Sequence, residues 1–308
     1  MSRDTRTGDS ELRIRRFDVA LFHFLNKEKD STALSEYADI LNVLGDNVIH
    51  IGTTDSAGFY ERLSSYFSEP TLMRLYTDEQ RKFADLTEVE AELLPTFEKL
   101  LQAFPELKLP QIYIHVSGLN QNVIVTDEVL SLSADKYLGA DYPLYQDFFY
   151  DYQRRNMTAS QVVPDYLLGY LMANLPYKGN QDVLLDRMLY EGKLRYILAS
   201  LLPGRQPWEY TAYSEAQYRW CHKHHGRIWK SMLQNNHLYN PDYLITSKYM
   251  DEAPYTVLLP EESPGRIGVW IGYQIIMAYM KNHPDTSMQQ LMDLTDAQEF
   301  LKQAKYKP

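Results

Sequence analysis

The spacing of the apolar residues changes at Pro110, and this change restricts the possible folds more than any other feature of the sequence. Before Pro110, three segments carry apolar residues at helical spacing, namely residues 33–44, 57–67 and 86–104. After it, three short segments are rich in Ile, Val and Tyr or alternate apolar with polar residues, namely 111–116, 123–125 and 129–133. The pattern therefore predicts helices followed by a small antiparallel sheet.

Helical spacing returns after residue 160 and continues almost to the end of the sequence. The predicted helices of this half cover residues 160–175, 181–202, 213–235, 266–280 and 287–304. At the other end of the chain, residues 11–20 resemble an edge strand or an extended arm. We therefore predict an α+β protein that is mostly α-helical, with its sheet in the middle.

The sequence has no Pro-, Gly- or Ser-rich linker and no block of like charge that would divide it. We therefore predict a single domain over residues 17–308, which follows a flexible tether at residues 1–16. The predicted domain has a helical front part, a small sheet and a helical second half, covering residues 17–108, 109–139 and 140–308.

Charge and composition exclude several classes of function. The formal net charge of −10 repels phosphate backbones, so we expect no nucleic-acid partner. Cys221 is the single cysteine, which excludes an internal disulfide and a multi-cysteine zinc site. The first ten residues lack the apolar core of a signal peptide, and the apolar run 267–280 is too short to span a bilayer. We therefore expect the chain as given to be soluble.

Residues 187–196 place a carboxylate and a glycine, Glu191 and Gly192, on a helix where some zinc proteases carry their third metal ligand. None of the eight histidines belongs to an H-E-x-x-H motif, which would supply the first two ligands. We therefore predict no metal, no cofactor and no catalytic residue. Arg187 and Arg195 lie four residues on either side of Glu191, which favours surface ion pairs along one helix face.

Residues 263–272 contain several glycines but lack the Gly-Lys-Ser/Thr ending of a phosphate-binding loop. Ser263 is a suitable N-cap and Pro264 a suitable first residue for a helix. Gly268 and Gly272 are four residues apart and leave one helix face flat. We therefore predict close packing of this helix against a neighbour.

Tyrosine is unusually frequent, with 25 residues, and one dense group comprises Tyr142, Tyr145, Tyr150 and Tyr152. Half-buried tyrosine rings favour packing at the edge of a core, and they are also typical of surfaces that bind proteins or sugars. A glycan-binding module is therefore one alternative function.

Three parts of the sequence together resemble one family. The first is residues 130–139 with 141–145, the second is residues 188–193 with Leu202 and Pro203, and the third is residues 262–275. They resemble the "LDKYLG...YP.Y", "YEGK...Y....LP" and "SPGRIG.WIGYQI" stretches of the GldB-like gliding-motility lipoproteins, and the resemblance covers about residues 17–308. The matching signature residues are Asp135, Lys136, Tyr137, Gly139, Gly192, Pro264, Gly265, Arg266, Gly268, Trp270, Gly272 and Tyr273.

This resemblance implies a lipoprotein that faces the periplasm, is lipid-anchored to the cell envelope, and is linked to the motility and secretion apparatus. Its implied partners are envelope proteins of that machinery or peptidoglycan, and its implied contact with the membrane is an N-terminal lipid. The lipobox cysteine is absent, so we expect that the signal peptide and the acylated cysteine were removed and replaced by Met1.

The same family is similar to predicted zincin peptidases, in which a helix with H-E-x-x-H precedes a Glu-Gly helix. By the order of elements, that motif would fall near residues 164–168, which offer the carboxylate of Asp165 and no imidazole. Our leading hypothesis is a non-catalytic scaffold on a degenerate zincin-like frame. The alternative is a peptidase or glycan-cleaving hydrolase that pairs Glu191 with Asp165 or Asp186. The candidate relic or functional site therefore comprises Asp165, Asp186, Tyr190 and Glu191.

Overall fold

The computed structural model describes residues 12–26, 31–179 and 183–308. Residues 1–11 of the predicted tether lie outside the described residues. The described chain is mostly helical and carries one small sheet, which confirms the predicted α+β class. It divides into two compact units. The first runs to Glu98 and adds Leu109–Asp135, and the second combines Lys99–Lys108 with Lys136–Pro308.

The sheet belongs to the first unit and is mixed, so the predicted antiparallel arrangement is wrong. Its strands are β1 (Ile14–Arg15), β2 (Gln111–His115), β3 (Val123–Val125) and β4 (Val129–Ser133), in the spatial order β1-β2-β4-β3. Strand β2 is parallel to both β1 and β4, and only β3 runs antiparallel to β4. Both β2 and β4 are buried almost throughout. The sequence of a buried strand is a run of apolar residues, and such a run does not show whether the strand is parallel or antiparallel to its neighbour.

The helices of the front part are α1 (Phe17–Asn26), α2 (Ala38–Val43), α3 (Phe59–Phe67), α4 (Pro70–Lys82) and α5 (Thr87–Ala103). A 3₁₀-helix at Ser31–Tyr37 precedes α2, and a π-helix at Leu44–Val48 follows it. The predicted arm at 11–20 is therefore correct only for β1, because Phe17, Leu21 and Phe24 recur at helical spacing and bury one face of α1. Helix α4 was not predicted; Glu69 caps it and Pro70 begins it.

The second unit contains the remaining helices. They are α6 (Tyr145–Phe148), α7 (Asp151–Arg154), α8 (Val162–Asn174), α9 (Leu184–Leu201), α10 (Glu215–Gln234), α11 (Tyr243–Met250), α12 (Ile267–Asn282), α13 (Met288–Asp293) and α14 (Ala297–Ala304). Two short 3₁₀-helices of this unit are Ala159–Gln161 and Glu209–Thr211, and a third, Ala134–Lys136, contains the boundary between the units after Asp135. Residues on several sides of α9 and α12 are buried, which identifies these two helices as the centre of this core.

Glycines allow α9 and α12 to cross with their backbones in contact. A Cβ atom added to Gly192 would overlap the backbone of Gly272 and lie 2.7 Å from the amide nitrogen of Tyr273. A Cβ atom on Gly272 would overlap the carbonyl group of Met188. Gly268 packs against α11 instead, where an added Cβ atom would lie 2.5 Å from the sulfur of Met250. The structure confirms close packing at both glycines, although they face two different helices.

Candidate functional site

Glu191 lies near the middle of α9, and its side chain is buried with 8% of the residue exposed. Its Oε2 atom is 3.4 Å from Nη2 of Arg195, which lies one helical turn further along α9. The same oxygen is 3.9 Å from Nη2 of Arg266, which immediately precedes α12. One buried carboxylate therefore interacts with two guanidinium groups.

The predicted surface bridge through Arg187 is wrong. The guanidinium group of Arg187 instead lies over the ring of Tyr177, with its carbon 5.7 Å from the ring centroid. Arg195 was correctly predicted as a partner of Glu191, but it is buried rather than solvated, with 4% exposed. The cause is the position of α9 inside the core, where the face that carries Glu191 meets the start of α12 instead of water.

The loop before α12 presents Arg266 to this site. Helix α12 begins at Ile267, and Arg266 precedes it in the left-handed conformation with φ of 59°. The predicted roles of Ser263 as N-cap and Pro264 as first helical residue are therefore wrong. Both belong to a buried turn, in which the hydroxyl oxygen of Ser263 accepts a bond from the amide of Thr256. The carbonyl oxygen of Pro264 accepts from the same amide and from the Thr256 hydroxyl, at 3.1 and 2.8 Å.

Gly265 makes this turn compact. Its carbonyl oxygen accepts a 2.8 Å hydrogen bond from the hydroxyl of Tyr213, and a Cβ atom at this position would overlap the carbonyl oxygen of Ala253. A larger residue would displace the turn and with it the Arg266 side chain. The signature residues Pro264 and Gly265 therefore serve to position Arg266.

Asp165 contributes a second carboxylate from α8. Its Oδ2 atom accepts a 2.6 Å hydrogen bond from the hydroxyl of Tyr137. Burial raises the pKa of Asp165, while the bond from Tyr137 and the positive charges of Arg195 and Arg266 oppose that rise. Burial also lowers the pKa of Arg195, and Glu191 and Asp165 partly offset it. The two carboxylates and two guanidinium groups thus form one partly desolvated charge network.

The other predicted residues of this site lie on a separate cleft. Asp186 and Tyr190 line a space of about 390 Å³ together with Tyr177 and Lys193. The Tyr190 hydroxyl donates to the carbonyl oxygen of Leu175 at 3.0 Å. The ammonium group of Lys193 donates to the carbonyl oxygen of Leu294, and burial lowers its pKa to about 8. The structure therefore does not place Asp186 beside Glu191 as a catalytic partner in the same cleft.

The first signature segment serves the fold. Asp135 is buried in the first unit, where it accepts hydrogen bonds from the amides of Ser117 and Leu119 at 3.3 and 2.6 Å. In the second unit, the Lys136 ammonium lies 5.1 Å from the centroid of the Phe149 ring. Gly139 has a φ of 130°, a conformation that side chains disfavour. Tyr137 is the member of this segment that reaches the charge network.

Two aromatic signature residues of α12 pack in the core. Trp270 is fully buried, and its ring contacts those of His222 and His225 at centroid distances of 5.1 and 4.7 Å. Burial lowers the pKa of His225 to about 4. Tyr273 is 5% exposed, and its amide lies at the crossing with Gly192.

Within the described ranges, no group of three His, Cys, Asp or Glu residues is placed to hold a metal ion.

Sequence reasoning missed the role of Arg266 as the second partner of Glu191. The two residues are separated by the whole of α10 and α11, so no short-range spacing links them. The only available signal was the presence of both in segments that resemble one family.

Comparison with known protein families identifies the family of this chain. The family model described as "Gliding motility protein GldB" matches residues 2–308. The chain belongs to this GldB family. Membership assigns it to the gliding-motility-associated lipoproteins, and the family name supports a lipid-anchored envelope protein. No curated protein and no solved structure matches the chain. None of the helices in the described part of this GldB family member combines the length and apolar content needed to cross a membrane.

The bond between Tyr137 and Asp165 provides a first test of the network. Replacing Tyr137 with phenylalanine leaves the buried carboxyl group without its hydroxyl donor, so we expect a loss of about 1–3 kcal/mol in the free energy of unfolding. Chemical denaturation would measure it. Tyr243→Phe is the matched control, because Tyr243 is 60% exposed, and it should change stability little. Equal stability of both variants and the wild type would show that this hydrogen bond contributes nothing to the network.

Proposed function

We propose that this GldB family member is a non-catalytic scaffold that holds a partner in the envelope machinery of gliding motility and secretion. The observation that carries the proposal is the position of Glu191, which is buried and shared between the guanidinium groups of Arg195 and Arg266. This carboxylate joins α9 to the turn before α12. It therefore stabilises the fold at the position where a peptidase-like frame would use it for chemistry.

The hydrolase alternative requires two carboxylates that face a substrate across an open cleft, about 5–10 Å apart. Glu191 is buried and paired, and Asp165 accepts a hydrogen bond from Tyr137. Asp186 lines the separate cleft with Lys193. The geometry thus favours the scaffold over a pair of catalytic carboxylates.

The order of the helices supports a degenerate zincin-like origin for this frame. Helix α8, which carries Asp165, directly precedes the Glu-Gly helix α9. Peptidases of the zincin type carry two histidines on the helix at this place. Pro164 and Asp165 occupy the corresponding part of α8, so the frame keeps its carboxylates and lacks imidazole ligands there.

Two experiments test the scaffold proposal, namely the identification of its binding partner and an assay for hydrolysis. We expect that cross-linking of the full-length lipoprotein in its own envelope, followed by identification of the attached proteins, yields a component of the motility or secretion apparatus. We also expect the purified chain to release no product from peptides or peptidoglycan fragments. Turnover by the wild type that disappears in Asp165→Asn or Glu191→Gln, with the fold intact by circular dichroism, would overturn the scaffold in favour of the hydrolase.

A further inference from the structure

A second polar cleft lies beside the charge network, on the other side of Arg266. Its walls include Tyr152, Arg155, Asn156, Tyr213 and Arg266, and its space, open to solvent, is about 330 Å³. The described lining carries two guanidinium groups, so the cleft has the charge to receive an anion.

Arg155 is the cation of this cleft that has no partner in the described part of the chain. Its Nε atom is buried without a hydrogen bond, and burial lowers the pKa of the side chain. The Nε atom of the neighbouring Arg154 is also buried without a hydrogen bond, but its guanidinium group forms an ion pair with Asp151, and Arg155 has no such pair in the described part of the chain. A partly desolvated guanidinium without a counter-charge is costly, and a bound carboxylate would offset that cost through two parallel hydrogen bonds.

The second cation of the cleft is already engaged. Arg266 lies 3.9 Å from Glu191 and 3.8 Å from Glu252, and the side chain of Glu252 is 60% exposed. The negative charge of Glu252 repels an anion that approaches on its side of the cleft. An anionic ligand would therefore place its negative group at Arg155.

An exposed aromatic ring lies against a tyrosine that lines the cleft. Tyr150 is 73% exposed, and its ring stacks on that of Tyr152 at a centroid distance of 5.8 Å and an interplanar angle of 9°. Tyr152 itself lines the cleft, so the stack joins the cleft to the surface. A flat ring with an exposed face suits the apolar face of a sugar.

We propose that this cleft binds a saccharide that bears a carboxylate, with the carboxylate on Arg155 and a sugar ring against Tyr150. The inference rests on the proposed scaffold function, because it gives the chemistry of one partner that the scaffold would hold. Carboxylate-bearing sugars occur both in peptidoglycan, as muramic acid, and in uronic-acid polysaccharides. Both sources present the same recognition chemistry.

A matched pair of ligands tests the proposal on the full chain. The disaccharide of N-acetylglucosamine and N-acetylmuramic acid differs from N,N′-diacetylchitobiose by one lactyl group, which carries the carboxylate. We expect calorimetry to show that the acidic disaccharide binds at least about tenfold more tightly, and that added salt reduces this preference. Arg155→Gln should abolish the preference, whereas Arg154→Gln should retain it. Tyr150→Ala should weaken both ligands, and Tyr243→Ala, at another exposed tyrosine, should weaken neither.

Several outcomes separate this inference from others. Equal binding of the two disaccharides would overturn it, and so would the absence of binding by both of them and by a glucuronic-acid disaccharide. A short acidic peptide that binds as tightly as the acidic disaccharide, and is unaffected by Tyr150→Ala, would also overturn it. Tighter binding of a glucuronic-acid disaccharide would support it and identify a uronate polysaccharide as the source. If the protein captures an envelope partner but binds no saccharide, the saccharide inference is wrong and the scaffold proposal stands. If the protein binds a saccharide and hydrolyses it, the scaffold proposal is wrong and the saccharide site stands.

Discussion

Replacing Gly272 with alanine should destabilise the protein by about 3 kcal/mol or more, at or beyond the upper end of the usual cost of overpacking. The added methyl group would overlap the carbonyl group of Met188, and the contact is with backbone rather than with a flexible side chain. Helices α9 and α12 would therefore have to separate along their crossing. Thermal and chemical denaturation would measure the loss in the free energy of unfolding.

Gly226 provides the control for this change. It lies in α10, where an added Cβ atom would have ordinary contacts, the nearest at 3.5 Å to the carbonyl oxygen of Pro308. Gly226→Ala should be neutral or should stabilise by up to about 1 kcal/mol, because alanine favours the helix. A Gly272→Ala variant as stable as Gly226→Ala would show that α9 and α12 are not in backbone contact.

Replacing Glu191 with glutamine should cost about 3–5 kcal/mol, because it leaves the buried guanidinium of Arg195 without its carboxylate. The substitution retains the shape of the side chain, so the loss reports on charge rather than on packing. Equilibrium denaturation at neutral pH is the measurement. The double variant Glu191→Gln with Arg195→Met should be more stable than Glu191→Gln alone, since it also removes the unpaired cation.

Glu215 is the matched control for this charge. It forms an ion pair with Arg219 at the same spacing of four residues, but both side chains are largely exposed. Glu215→Gln should therefore cost less than about 1 kcal/mol. If Glu191→Gln also costs less than about 1 kcal/mol, Glu191 does not form a buried ion pair. The surface ion pairs predicted from the sequence would then be the better description.

Local pattern was sufficient for the long helices. Residues 86–104 predict a helix that the structure places at Thr87–Ala103, and 213–235 predict one placed at Glu215–Gln234. In α10, Ser214 and Gln217 also form a capping box, which fixes the start. These helices could be predicted because their positions depend on apolar spacing and on capping residues within one segment of the sequence.

The predictions that were wrong concern features that depend on contacts between segments far apart in the sequence. The direction of β2 relative to β4 depends on β3 pairing at the far edge of the sheet, which apolar spacing does not encode. The burial of Glu191 depends on α12, whose contact with α9 requires glycines in two helices. The start of α12 at Ile267 follows from the bonds of Thr256 to the preceding turn, which override the capping preference of Ser263.

The division of the chain into two units limits how its functions can be mapped. The chain passes between the units after Glu98, Lys108 and Asp135, and the first of these passages lies inside helix α5. Neither unit is therefore one continuous piece of sequence. A truncation at any of these points leaves at least one unit incomplete, so a deletion series would report misfolding instead of lost binding. Point substitutions on the intact chain are consequently the appropriate means of assigning partners to surfaces.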